Sequence, residues 1–124
     1  MKDFRNLRVW EKAHQLTLQI YSATARFPKH ELYGLTSQIR RCSVSIAANI
    51  AEGCGKRGNN EFRRYLLIAS GSASELDYHL LLSRDLALLS AVHYSELAKR
   101  LSEVRRMLTS LLQKVDHECL IAKC

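Results

Sequence analysis

The side chains whose types and spacing could do chemistry in this sequence are basic, and they gather around the middle of the chain. Glu52 and Glu61 are the acidic residues of the same stretch, and Phe62 and Tyr65 flank Arg63 and Arg64. Basic groups at this density can contact several phosphates and release their counterions. Aromatic rings beside arginines can also stack on unpaired bases. The pattern predicts a nucleic-acid surface, and the alternative is a solvated face that aids solubility. The basic residues are Arg40, Arg41, Lys56, Arg57, Arg63 and Arg64.

A glycine-rich segment lies within this stretch. The run Gly53-Cys54-Gly55-Lys56-Arg57-Gly58 matches the GxGxxG pattern and precedes a predicted helix, whose free N–H groups attract anions. A dinucleotide site would need a strand before the motif, and the preceding periodicity is helical. A weak phosphate-contacting loop is one interpretation, and a flexible connection between helices is the favoured one.

The sequence shows no constellation that would predict an enzyme. His14, His79 and His93 fall in predicted helices without HExxH or comparable spacing. Ser43 and Ser45 lack the glycine elbow of a nucleophilic serine. We therefore expect no catalytic residue and no cofactor.

The cysteines and the apolar stretches predict a reducing, cytoplasmic setting. Cys42, Cys54, Cys119 and Cys124 form no CxxC pair, so a zinc site would have to assemble from distant parts of the chain. Reduced thiols and no bound metal are the expectation. The chain shows no secretory signal, and its longest stretch without Asp, Glu, Lys or Arg, Ala13 to Ala25, is 13 residues, fewer than a membrane-spanning helix needs.

Composition favours one helical domain. The chain has 124 residues, of which 47% are hydrophobic, enough to form a core and to exclude a disordered protein. One proline and five glycines are too few for a many-turned β protein. The net charge of +7 is uneven, because residues 1–60 carry 10 basic and 4 acidic side chains while residues 61–124 carry 9 and 8. A polyanionic partner suits this excess.

Apolar residues at three- and four-residue steps predict four helices. We expect an all-α fold, an antiparallel up-down-up-down four-helix bundle over residues 1–118, with a flexible tail over 119–124. Gly71, in the middle of the third helix, suggests close packing by a neighbour. The predicted helices cover Leu7 to about Phe27, Tyr33 or Thr36 to Glu52, Asn59 or Asn60 to about Leu89, and His93 or Tyr94 to Val115.

The second helix is apolar on two sides. Its core stripe includes Ile39, Ile46 and Ile50, and the opposite side holds small apolar residues. In a domain of this size, a helix buried on both faces points to a second subunit. We therefore predict a homo-oligomer with an interface at Val44, Ala47, Ala48 and Ala51.

Several segments resemble the four-helix bundle proteins that are encoded within intervening sequences of bacterial 23S rRNA genes. The resemblance is carried by Leu7-Arg8-Val9-Trp10, by the run from Leu32 to Arg41, by Asn49-Ile50-Ala51-Glu52-Gly53, and by Ile68-Ala69-Ser70-Gly71-Ser72. That family is similar to the accessory variability determinant proteins of diversity-generating retroelements. The resemblance implies a homopentamer without enzymatic activity, whose basic surface engages nucleic acid.

Two functions follow as hypotheses. The first is an oligomeric module that binds RNA or an RNA–DNA hybrid rather than specific duplex DNA, because no helix carries an obvious base-reading set. The alternative is a protein-interaction scaffold that recruits a partner such as a nucleic-acid enzyme, with the charge steering the encounter.

Overall fold

The computed structural model describes residues 2–122, which form four helices in an antiparallel bundle. Short 3₁₀ turns at Phe4–Asn6 and Lys29–Glu31 precede the first and second helices. The predicted fold class is confirmed. The helices are α1 (Arg8–Thr24), α2 (Leu35–Cys54), α3 (Gly58–Asp85) and α4 (Ala91–Ala122).

The core lies along the bundle axis, where the apolar stripes of all four helices meet. Ile20, Ile46, Leu66 and Leu108 are each at most 1% exposed. The four- and three-residue spacing predicts a seam on α4 at Leu97, Leu101, Val104, Leu108, Leu111 and Val115. Five of these residues are buried, and Leu111 is half-buried. Removing this apolar surface from water stabilises the fold by roughly 25 cal/mol per Å².

The helices end at places set by backbone chemistry. α2 continues past Glu52, its predicted end, to Cys54, with Gly55 as its C-cap. α3 ends at Asp85, short of the predicted Leu89, because Ala87 adopts a left-handed conformation with φ of 60°. The N–H of Ala87 donates to Arg84 O and that of Leu88 to Ser83 O, the two bonds of a Schellman motif.

The last helix is longer than the sequence suggests. α4 passes Val115 and reaches Ala122, so residues 119–122 of the predicted tail are helical, while 123 and 124 lie outside the described residues. Two side-chain contacts hold this end to α3: Asn59 Nδ2 donates to Glu118 Oε2, and Arg63 Nε donates to Asp116 Oδ1.

Close packing against a neighbouring helix is found at Gly53, and not at Gly71, where the sequence predicts it. A Cβ on Gly71 would meet nothing within 4 Å, so the predicted close packing is absent within the described part of the chain. At Gly53, a Cβ would lie 2.9 Å from Tyr65 Cβ and 3.1 Å from Phe62 Cδ1. Glycine at 53 is therefore what lets α2 and α3 approach closely at their connection.

Within residues 2–122, no helix is both long enough and apolar enough to cross a membrane.

Candidate functional site

Four cations lie together at the end of the bundle where α2 connects to α3. Lys56 and Arg57 are exposed in the connection, and Arg64 is exposed nearly two turns into α3. Lys2 joins them, because its backbone N–H donates to Cys54 O at 3.0 Å and its ammonium lies 4.5 Å from the centre of the Phe62 ring. We call these four residues, Lys2, Lys56, Arg57 and Arg64, the basic end surface.

The ring of Tyr65 organises two of these cations. Arg64 Cζ lies 4.6 Å and Lys56 Nζ 5.6 Å from its centre, both within the range of a cation–π contact. Tyr65 is itself held by the close packing of Gly53. Gly53, which allows α2 and α3 to approach closely, therefore also helps to position Lys56 and Arg64 through Tyr65.

Most of the positive charge on this surface has no carboxylate partner. Among residues 2–122, no Asp or Glu oxygen lies within 4.0 Å of the charged groups of Lys2, Lys56 or Arg57. Arg64 pairs with Glu61 at 3.2 Å, and its hydrogen bond to that carboxylate lowers the pKa of Glu61 below its ordinary value. Cations without partners keep their attraction for phosphate.

The other predicted basic residues do not join this surface. Arg41 and Cys54 are separated along α2 by about 20 Å at 1.5 Å per residue. Arg40 is half-buried against α1: its Nε donates to Thr24 Oγ1 at 2.9 Å, and its guanidinium lies 4.7 Å from the centre of the Tyr21 ring. The prediction of one cluster is therefore wrong for Arg40 and Arg41, because it counted neighbours on the chain across the length of a helix.

Arg63 is a structural residue in this chain. It turns toward α4, where its guanidinium pairs with Asp116. The predicted set of six thus divides into three on the basic end surface, one bridging α3 and α4, and two farther along α2. Lys2 was missed because its place depends on a backbone hydrogen bond to Cys54 that no spacing reveals.

The glycine-rich segment connects α2 to α3, the interpretation that the sequence favours. Gly53 lies inside α2, Gly55 caps it, and Gly58 begins α3 with φ of 79°. Helix precedes the motif, so the described chain carries no βαβ unit there.

The outer face of α2 is apolar, and of the four predicted positions two are exposed, one is half-buried and one is buried. Val44 is 41% exposed, Ala48 is exposed and Ala51 is half-buried. Ala47 was predicted to face a partner, but it is buried in its own chain, because its neighbours one turn away, Ser43 and Ile50, both face the core. We call Val44, Ala48 and Ala51 the outer face of α2.

The outer face of α2 is continued on α3. Ser45 Oγ and Ser72 Oγ are 2.8 Å apart, so the antiparallel helices place Ile68 one turn farther along, level with Asn49. Ile68 and Leu67 are 41% and 44% exposed. Gly71, without a side chain, lies in the same exposed stretch of α3.

Three residues of types that bind metal ions in other proteins lie close together between α2 and α3. Cys42 Sγ, a carboxylate oxygen of Glu75 and a ring nitrogen of His79 all lie within 4.8 Å of one another. His79 Nε2 is 3.0 Å from Glu75 Oε2, and the thiol of Cys42 donates to Ser72 O at 3.0 Å. Burial, and then the charge and hydrogen bond of Glu75, raise the pKa of Cys42 to about 12. Sequence spacing misses this cluster because Cys42 lies on another helix.

The remaining described cysteines differ from each other. Cys54 is a buried free thiol whose pKa is raised by burial and lowered in part by the nearby Lys2. Cys119 forms a disulfide, so the expectation of reduced thiols is wrong at that position. Cys124 lies outside the described residues.

Comparison with known proteins gives a family and a fold. The sequence profile of the 23S rRNA-intervening sequence proteins matches residues 5–110. A crystal structure of a protein of unknown function, from the S23 ribosomal protein family of Bacteroides thetaiotaomicron, is similar in fold with a TM-score of 0.78. It is 24% identical and covers 85% of this chain and 95% of its own. Comparison with curated proteins finds no match.

Proposed function

The chain belongs to the 23S rRNA-intervening sequence protein family, and we propose that it is a non-enzymatic, homo-oligomeric module that binds nucleic acid through the basic end surface. RNA or an RNA–DNA hybrid is the proposed ligand, in preference to specific duplex DNA, and the proposed setting is the cytoplasm. The observation that carries the proposal is the basic end surface, where Lys2, Lys56 and Arg57 have no carboxylate partner within residues 2–122.

The arrangement of the basic end surface suits a phosphate backbone. Lys2, Lys56 and Arg57 are exposed and lack carboxylate partners within residues 2–122, so they can approach phosphates without first breaking an ion pair. Each phosphate contact releases counterions, so we expect affinity to fall steeply as salt rises.

Self-association would multiply this surface. The outer face of α2, together with Leu67 and Ile68, forms an exposed apolar patch, and such patches mark contact surfaces in soluble proteins. Gly71 supports a second copy as the occupant, because a mid-helix glycine costs about 1 kcal/mol against alanine and no described group of its own chain fills the space. A homopentamer, the state implied by the family resemblance, would present five basic end surfaces and gain avidity from them.

Binding is tested by titrating labelled single-stranded RNA, an RNA–DNA hybrid and duplex DNA at several salt concentrations. Replacing Lys56 and Arg57 by alanine should weaken binding and reduce the salt slope by about 0.7–0.9 for each phosphate that the protein no longer neutralises. The matched control is alanine at Lys99 and Arg100, an exposed basic pair on α4, which removes the same charge elsewhere.

Equal losses in the two double variants would mean that net charge alone drives association. Absence of RNA and hybrid binding at low salt would contradict the proposal. In that case, recovery of a defined protein partner after nuclease treatment would favour the scaffold alternative.

The oligomer is tested by light scattering at micromolar concentration. We expect a mass several times that of the 14.2 kDa chain, reduced by Ala48→Glu because a charge buried without a partner opposes association. Ala91→Glu, on an exposed residue at the start of α4, is the control and should leave the mass unchanged. A 14.2 kDa species for the native chain would contradict the proposal.

A further inference from the structure

We propose that Cys42, Glu75 and His79 form a binding site for a divalent transition-metal ion, with zinc as the best match. The three donor atoms lie within 4.8 Å of one another between α2 and α3. Thiolate sulfur, imidazole nitrogen and carboxylate oxygen are the donors that proteins use for Zn²⁺, and the mixture of soft and hard donors disfavours calcium and magnesium.

The helices place these donors on facing surfaces. Glu75 and His79 are four residues apart on α3, so their side chains lie on one face, the spacing used by helical zinc motifs. Cys42 reaches the same place from α2, where its sulfur contacts the backbone oxygen of Ser72. Two packed helices therefore hold the set, as rigid elements should hold a metal site.

Only a small movement is needed to surround one ion. Metal–donor distances of about 2.0–2.3 Å place tetrahedral ligand atoms about 3.5 Å apart. His79 Nε2 and Glu75 Oε2 are already 3.0 Å apart. The side chain of Glu75 is 61% exposed and free to adjust, whereas Cys42 and His79 are buried at 5% and 7% exposure.

The charges balance when the ion binds. The S–H bond of Cys42 breaks, a metal–sulfur bond forms, and the proton passes to solvent. The hydrogen bond from Cys42 to Ser72 O and the one between His79 Nε2 and Glu75 Oε2 are given up, and the neutral imidazole keeps one proton, on the ring nitrogen that does not bind the ion. One thiolate and one carboxylate then neutralise the two charges of the ion, and the imidazole binds as a neutral ligand. No oxidant or reductant takes part.

The surroundings provide an entrance and an open coordination position. Cys42 and Glu75 lie on the wall of an open groove of about 510 Å³, which Ser45, Ser72 and Arg41 also line. Water in this groove can supply the fourth ligand, as in zinc sites with three protein ligands. His79 Nδ1 is buried and has no hydrogen-bond partner among residues 2–122, so protein groups satisfy only one side of this ring.

The test is an anaerobic titration of the full chain with Co²⁺ and then Zn²⁺, without added thiols. Co²⁺ should give a sulfur-to-metal charge-transfer band with one equivalent bound, and Zn²⁺ should displace it. Cys42→Ser should abolish the band, and Glu75→Gln, which removes a direct ligand, should weaken binding by at least the roughly 100-fold that changes of outer-shell partners reach. Because Glu75 is largely exposed, Glu75→Gln should leave the helical circular dichroism unchanged.

Cys54→Ser is the matched control, because Cys54 is the other buried free thiol and belongs to no metal-ligand cluster within residues 2–122. It should retain the band and the stoichiometry. The proposal is overturned if no band appears, if Cys42→Ser keeps it, or if Cys54→Ser removes it. RNA titration of Glu75→Gln keeps the two proposals separate, since the basic end surface is distant from Glu75 along α3.

Discussion

The interface between α2 and α3 is built in two different ways along its length. In the lower section, beside the connection, Gly53 packs directly against Phe62 and Tyr65. In the upper section, Cys42 and Ser45 face Ser72, Glu75 and His79 across a polar seam that opens into a groove. The lower section fixes the distance between the helices by direct contact, whereas the upper section uses hydrogen bonds and leaves room for a ligand.

The largest expected difference concerns the two buried thiols. Burial and Glu75 raise the pKa of Cys42 to about 12, whereas at Cys54 burial raises the pKa and the charge of Lys2 opposes that rise. With a chelator present at pH 8, iodoacetamide should alkylate Cys42 roughly a thousandfold more slowly than an unfolded thiol, and Cys54 should react faster than Cys42. Peptide mass spectrometry over time measures both rates.

The same shift has a consequence for stability. The folded protein holds the Cys42 proton more tightly than the unfolded chain, so this contribution to stability is fully present below pH 9 and is lost as the pH rises toward 12. Cys42→Ser should flatten the fall in unfolding free energy across that range. An equal fall in both proteins would show that the upper section does not protect the thiol.

The next largest effect is expected at the lower section. Gly53→Ala places a Cβ 2.9 Å from Tyr65 Cβ, so the helices must shift, at a cost of about 1–3 kcal/mol in unfolding free energy. Urea denaturation followed by circular dichroism measures it.

Gly55→Ala is the control for this variant, because a Cβ there meets only Glu52 O, at 3.5 Å, and the backbone φ is −82°. It should be neutral or slightly stabilising. If both alanines cost the same, close approach at Gly53 is not what holds the lower section together.

The smallest expected change in unfolding free energy concerns the hydrogen bond between Ser45 and Ser72 in the upper section. Ser72→Ala removes the partner of Ser45 Oγ, and we expect a loss of about 0.5–1.5 kcal/mol, since Asn49 Nδ2 still bonds Ser45. Urea denaturation beside Ser95→Ala, an exposed serine of α4, measures the difference. A loss as large as that of Gly53→Ala would remove the distinction between the two sections.

The fold was predictable because periodicity is a local property. The seam of α4 and the stripe of α2 are visible in the sequence and are buried in the structure. Helix ends were less predictable: Ala87 in a left-handed conformation ends α3 where glycine would be expected, and contacts of Asp116 and Glu118 with α3 lengthen α4.

The candidate sites depend on register between helices, which a single sequence does not contain. The basic pairs 40–41 and 56–57 are close in the sequence, but they lie toward opposite ends of the 20-residue helix α2 and are therefore far apart in space. Similarly, Glu75 and His79 show helical spacing, yet nothing before the structure indicates that Cys42 faces them. The prediction of close packing at Gly71 failed for the same reason. What distinguishes Gly53 from Gly71 is the side chains of the facing helix, which the sequence does not place.

The single tryptophan gives the chain an internal optical reporter near its N-terminus. Trp10 stacks on His14, with ring centres 5.0 Å apart and planes 6° apart, and its edge contacts Phe4 in the 3₁₀ turn. The fluorescence of an indole depends on the rings that pack against it. Because the same N-terminal segment carries Lys2 onto the basic end surface, this emission can report in real time whether the segment stays docked when a polyanion arrives.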